Sequence, residues 1–188
     1  MPLLPKNEPT APARATLATV DNRLSAWIVR QAEAAPGLRR VARLSARAGD
    51  GIVWLGIAAG AMLAPPLRSA TAQIALGALA AGLAVAPVKY TVRRTRPAGA
   101  RYRSSAIWAH YDAYSFPSGH AARMAALATG AALLFPGCWP LLLIGAALVC
   151  WGRVATAAHF VGDVLAGALL GAVAAVLIYL LGPGALIG

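Results

Sequence analysis

Residues 164–182 read VLAGALLGAVAAVLIYLLG, an uncharged apolar run long enough, as a helix, to cross the hydrocarbon of a bilayer. Gly167 and Gly171 lie one turn apart in it, as do Ala168 and Ala172, the small-xxx-small spacing that lets membrane helices approach closely. Just upstream the polarity changes abruptly, with Arg153, His159 and Asp163. Further toward the N-terminus stand four more apolar segments, at 138–157, 120–136, 71–88 and 51–66, again rich in Gly and Ala. Hydrophobic residues make up 59% of the 188-residue chain and charged ones only 12%, about half the charged share of a typical soluble domain. A globule of this size cannot hide so much apolar surface. The reading is an all-α, polytopic membrane helix bundle with about five transmembrane helices and no internal repeat.

The N-terminal region has a different character. Residues 1–16, with Pro2, Pro5, Pro9 and Pro12, read as a disordered tail, and no continuous apolar core of a cleavable signal peptide is visible there. Residues 17–48 read as an amphipathic, basic, interfacial helix region. Leu17, Val20, Leu24, Trp27 and Ile28 fall on one stripe. After Pro36-Gly37, Leu38, Val41, Ala42 and Ser45 share a face opposed by Arg39, Arg40, Arg43 and Arg47. Such a helix lies in the headgroup plane; an ordinary helix packed on the bundle is the alternative. Residues 49–188 then form the transmembrane domain. The net charge of +11 invites a nucleic-acid reading, but the cations sit beside apolar segments, so membrane lipids and a phosphate-bearing substrate are the expected partners. No nucleic acid is expected, and oligomeric state is not legible. Cys138 and Cys150, if on one helix, stand about 18 Å apart, beyond disulfide reach.

Five crossings fix a common face. The end of 71–88, the start of 120–136, the end of 138–157 and the start of 164–182 all emerge on the side that holds the N-terminal region. Three polar clusters therefore meet there: Lys89 with Arg96-Pro97; Pro117-Ser118-Gly119-His120; and Arg153 with His159 and Asp163. Eight Lys and Arg precede residue 51, whereas the opposite face has Arg68 alone. The positive-inside rule makes the shared face cytoplasmic in a multi-pass plasma-membrane protein.

The clusters have the chemistry of phosphoryl transfer. Pro117 to His120 make a turn at a helix start, where unsatisfied N–H groups and the helix dipole favour an anion; Ser118 adds a hydroxyl, Gly119 allows close backbone approach, and His120 can present an acid. Read alone, such a tetrapeptide is also ordinary capping chemistry. His159 and Asp163 share a helix face, so a carboxylate bonded to one imidazole nitrogen would leave the other as nucleophile or base. Arg153, Lys89 and Arg96 can hold phosphoryl oxygens and neutralise transition-state charge, with Arg93 and Arg94 between the last two. A zinc site of His120, His159 and Asp163 is the competing arrangement, but the adjacent cations would repel a metal and favour an anion.

In order and spacing the three clusters resemble the type 2 phosphatidic acid phosphatase superfamily, whose pattern is Lys-x6-Arg-Pro, Pro-Ser-Gly-His and Ser-Arg-x5-His-x3-Asp. The resemblance implies that His159 attacks phosphorus to form a phosphohistidine, with Asp163 orienting it and His120 protonating the leaving oxygen. Lys89, Arg96, Ser118, Gly119 and Arg153 would hold the phosphoryl oxygens, with no metal and no other cofactor. Two departures stand out: Gly152 replaces the serine usual before Arg153, and an amphipathic basic helix stands where relatives often have a first crossing. The expected activity is a lipid phosphate phosphatase acting on a phosphomonoester or pyrophosphate of a polyprenyl lipid or glycerophospholipid. Decaprenylphosphoryl-phosphoribose phosphate is a specific candidate, beside undecaprenyl pyrophosphate and phosphatidylglycerophosphate. A lipid phosphotransferase using the same phosphohistidine, and a non-catalytic membrane adaptor, are alternatives. The soluble vanadium haloperoxidases share the signature but not the composition. His110 and Asp112 in the long polar stretch 89–119 have no assigned role.

Overall fold

The computed structural model describes residues 11–98, 113–137 and 139–182. The first ten residues of the expected tail, His110, Asp112 and Cys138 lie outside the described residues. Among the described residues seven α-helices follow one another: α1 (Ala11–Glu33), α2 (Pro36–Ala48), α3 (Gly51–Ala61), α4 (Arg68–Val92), α5 (Gly119–Leu134), α6 (Trp139–Ala155) and α7 (Val161–Leu181), with a 3-10 turn at Pro65–Leu67. Among the described residues there is no strand, so the all-helical expectation stands. α1 begins inside the stretch read as a tail. It breaks at Ala34-Ala35 because Pro36 disfavours helical backbone in the residue before it while suiting the first turn of α2.

The bundle is small inside and large outside. α5 runs through the middle, packed on α7, α4 and α6, and buries Ala121, Ala122, Ala126 and Ala131. α7 lies almost on its backbone: a Cβ at Gly167 would strike the Ser118 carbonyl, and one at Gly171 the Ala122 carbonyl. The same closeness continues between Gly77 of α4 and Ala175 of α7, where a Cβ on the glycine would stand 3.4 Å from the Ala175 Cα. The long aliphatics point outward instead. Leu165, Leu169 and Leu177 of α7, Leu79 and Leu83 of α4, and Leu141 and Ile144 of α6 are all exposed. An apolar patch this continuous marks a lipid-facing surface, and a small-residue interior is how helices associate where lipid is as apolar as leucine.

Length limits the number of crossings. Pro65–Val92 and Val161–Leu181 are long and apolar enough to span a membrane, whereas α3 and α6 are apolar but shorter. α3, expected over 51–66, stops at Ala61 because Pro65-Pro66 cannot supply helical N–H groups. α5, with 16 residues, is about 24 Å long, less than the hydrocarbon thickness of about 30 Å.

The N-terminal helices turn small residues inward and leave Arg23, Arg30, Arg39, Arg40, Arg43 and Arg47 exposed. Of the expected α1 stripe, Leu17, Val20, Leu24 and Trp27 are exposed, while Ile28 packs beside Ala155 and Val154 of α6. Ser25 and Ala32 form the buried edge of α1. The α2 face is likewise divided: Leu38, Val41 and Leu44 are exposed, and Ala42 and Ala46 are buried against α6. The crossing of α2 over α6 falls on Gly152. A Cβ there would run into Ser45 Oγ and come within 2.7 Å of the Ala46 nitrogen and 2.9 Å of the Ala42 carbonyl. Serine at 152, which the resemblance leads one to expect, therefore has no room. Gly152→Ser should displace α2 or destabilise the fold by about 1–3 kcal/mol, read as a lowered thermal unfolding midpoint in detergent. An unchanged midpoint would refute this packing.

Candidate active site

Four backbone segments converge at the end of the bundle where α4 stops and α5 and α7 begin. α4 ends with Arg93 in the left-handed region, φ 51°, and the chain continues extended through Arg94, Thr95 and Arg96. The segment before α5 is stitched to it: the Ser115 amide donates to the Arg94 carbonyl at 2.8 Å, and the Ser115 hydroxyl to the Thr95 carbonyl at 3.0 Å. Ser118 then starts α5 and accepts from the Ala121 amide at 3.4 Å. Its own amide donates to the Asp163 carbonyl at 2.9 Å, tying the start of α5 to the start of α7. The link from α6 to α7 turns at Ala157, φ 56°, and the amides of Ala158 and His159 both donate to the Arg153 carbonyl, at 3.0 and 3.2 Å.

These constraints present one nitrogen of a buried histidine to two guanidinium groups. His159 is 1% exposed. Its Nδ1 lies 2.7 Å from the Ser115 carbonyl; a carbonyl only accepts, so Nδ1 carries the proton. Nε2 is left as the acceptor, facing Arg153 Nη2 at 3.2 Å and Arg96 Nη1 at 3.5 Å. Arg96 is braced by donating to the Ala158 carbonyl at 2.7 Å. Lys89, 4% exposed, donates to the Tyr114 carbonyl at 2.7 Å, which Arg96 Nη2 also reaches at 3.4 Å. An unprotonated imidazole nitrogen within a set of cations is arranged to attack an electrophile that brings negative oxygens with it.

Asp163 occupies a different place from the one expected. Its Oδ2 stands 3.7 Å from His159 Nδ1, outside hydrogen-bonding range, and accepts from the Phe160 amide at 2.9 Å instead. Oδ1 pairs with Arg94 Nη1 at 2.8 Å. The tautomer of His159 is thus set by the Ser115 carbonyl, with the buried carboxylate behind it. Arg94 lies 3.9 Å over the Phe160 ring and extends its other nitrogen to Asp21 of α1 at 2.7 Å. The second oxygen of Asp21 accepts from the Gly162 amide at 2.9 Å, and Ser25 Oγ accepts from Val161 at 3.0 Å. The α7 N-terminus is therefore capped by side chains of α1.

His120 sits on the first turn of α5, 7% exposed, and its Nε2 donates to Asp50 Oδ1 at 2.8 Å. Gly119 meets its neighbours at ordinary distances, a Cβ there lying 3.6 Å from Arg123 Nη1. All the site residues expected from sequence thus lie at this end of the bundle, and the direct contacts join Arg96, Arg153 and His159. Sequence reasoning missed Asp21, Asp50 and the specific pairing of Arg94. A usable signal existed: the chain has only six Asp and Glu, and carboxylates beside membrane segments are scarce unless paired. Ser115 acts through its carbonyl, which no residue type announces.

Residues 70–185 match the PAP2 superfamily. No curated protein gives a significant match. Among solved structures, a transmembrane PAP2-type phosphatidylglycerolphosphate phosphatase from Bacillus subtilis superposes with a TM-score of 0.75 at 23% identity, over 92% of this chain and 88% of that one. LpxE from Aquifex aeolicus gives 0.70 at 21% identity, over 85% and 94%. At such identities the likeness is one of fold. The family match spans more than half the chain, and it covers Lys89, Arg96, Ser118, His120, Arg153, His159 and Asp163 alike. The chain belongs to the PAP2 superfamily.

Proposed function

We propose that this protein is an integral membrane lipid phosphate phosphatase working through a phosphohistidine. The observation that carries the reading is His159: Nδ1–H fixed on the Ser115 carbonyl at 2.7 Å and Nε2 turned to Arg153 and Arg96. Nε2 attacks phosphorus, and the bond from phosphorus to the leaving oxygen breaks. His120 gives that oxygen its proton. Water then attacks the phosphohistidine, returning the proton to His120 and releasing inorganic phosphate. Lys89, Arg96 and Arg153 neutralise the equatorial oxygens, and Ser118 and Gly119 line the same turn; no step needs a metal or other cofactor.

The substrate side of the proposal rests on the surface. Exposed aliphatics on α4, α6 and α7 would keep the site at the edge of lipid, and Ile52, Leu55 and Ile57 of α3 are exposed as well. This favours about five crossings, the short helices being accommodated by local bilayer thinning. Leu17, Val20, Leu24 and Trp27 of α1 and Leu38, Val41 and Leu44 of α2, set among arginines, suit a headgroup-level position for residues 17–48 beside a transmembrane phosphatase domain at 49–188. The excess of cations on that side supports a site on the cytoplasmic face of the plasma membrane. A lipid phosphate made there fits, with decaprenylphosphoryl-phosphoribose phosphate of wall synthesis the specific choice. Phosphatidylglycerophosphate, the kind of substrate named for the Bacillus protein, and undecaprenyl pyrophosphate follow.

Phosphate release by the purified protein in detergent, measured on phosphatidic acid, phosphatidylglycerophosphate, prenyl pyrophosphate and prenyl-phosphoribose phosphate, tests this directly. His159→Ala should lower release at least about a thousandfold and abolish the acid-labile phosphoenzyme. Release only when an alcohol acceptor is added would make the protein a phosphotransferase, and undiminished turnover in the variant would defeat the phosphohistidine. Asp163→Asn gives a second check. Because the Ser115 carbonyl already sets the tautomer, turnover should fall about ten- to a hundredfold, short of the about 10⁴ lost where a carboxylate alone holds the imidazole. A loss as large as that of His159→Ala would show that Asp163 orients the ring directly.

A further inference from the structure

Asp50 lies outside the residues that match the family, at the junction of α2 and α3. It stands at the N-cap of α3 in extended backbone, φ −66° and ψ 132°, yet its side chain accepts no hydrogen bond from that helix. Aspartate at an N-cap ordinarily satisfies the first amides of its own helix. This one reaches across to α5 instead, taking the Nε2–H of His120 at 2.8 Å. The junction is built to bring it there. A Cβ on the preceding Gly49 would stand 3.1 Å from His120 Cδ2 and 2.5 Å from Val149 Cγ1, so only glycine lets the chain pass this close to the ring. Both contacts fall on one edge of the imidazole, the Cδ2–Nε2 edge, which is therefore covered by Gly49 and Asp50. The Asp50 carboxylate is thereby held directly against the ring, where a positive charge on the imidazole would meet its counter-charge.

We infer that Asp50 is the positioning residue of His120: it anchors Nε2–H, aims the Nδ1 edge at the leaving oxygen, and stabilises the imidazolium that must give up a proton. This inference deepens the proposed phosphatase mechanism and rests on it. The step balances as the bond from phosphorus to the leaving oxygen breaks and that oxygen takes the Nδ1 proton, while Nε2 keeps its own proton, hydrogen-bonded to Asp50. Assistance of this kind matters most when the departing oxygen is strongly basic, so the substrate class it suits is a phosphate monoester of an alkyl alcohol. A leaving group that is already a weak base needs little of it.

The test compares first-turnover release of alcohol from dodecyl phosphate with that of p-nitrophenol from p-nitrophenyl phosphate. Wild type is set beside Asp50→Asn and beside Asp50→Ser, which keeps a good N-cap for α3 and removes the carboxylate. Both variants should lose about a hundredfold on dodecyl phosphate, the scale of general acid catalysis, while p-nitrophenol release stays within about threefold. Equal losses on both substrates with unfolding midpoints retained would reduce Asp50 to a structural part and overturn the inference, as would unchanged release of both. If wild type releases neither alcohol, or His159→Ala releases both, the phosphatase mechanism itself fails and this inference falls with it.

Discussion

The absence of side chains at Gly167 and Gly171 is the constraint on which the site depends. It lets α7 lie against the α5 backbone at Ser118 and Ala122, and so places the Asp163 carbonyl within reach of the Ser118 amide at 2.9 Å. That single hydrogen bond fixes the mouths of two helices relative to each other, one carrying His120 and the other preceded by His159. In lipid, apolar burial does not drive helices together; close packing and interhelical hydrogen bonds do. The arrangement uses both at one point.

Around that point the charges are sorted by partner. Arg94 is held between Asp21 and Asp163 and stacked on Phe160, so it is a structural cation joining α1, α4 and α7. Lys89 and Arg96 lean on backbone carbonyls, and Arg153 on the imidazole of His159. Cations gathered at one place offer their charge to the oxygens of a dianionic phosphate. Gathering cations in a poorly hydrated place is costly without an opposite charge.

Much of this was legible from residue order. The three polar clusters, their common end of the bundle and the close-packing glycines of α7 all follow from periodicity and composition. What escaped was set by tertiary geometry. The length of α3 was overestimated because its apolar composition continues past the point where Pro65-Pro66 ends the helix. On α1 and α2 the greasiest stripe is exposed, as a stripe that turns to lipid would be, while the smaller residues Ser25, Ala32, Ala42 and Ala46 turn to protein, an inner face that hydrophobicity does not mark. Asp163 was placed on His159 by its four-residue spacing, but the capping of α7 and the pull of Arg94 draw its oxygens away. The carboxylate partners of His120 and Arg94 lie about 70 residues distant in sequence, and no local pattern connects them.

Gly152 has a consequence for how this chain can be recombined with its relatives. The bare backbone at that position is the berth of α2, and α2 in turn carries Gly49 and Asp50 to the edge of His120. A domain exchange that imported a relative's core with serine at 152 would evict the N-terminal helices even if every motif residue were preserved. Conversely, moving residues 17–50 onto such a core would give them nowhere to dock. The glycine and the helix that covers it form one packing unit, so α2 and a position about a hundred residues away are expected to change together.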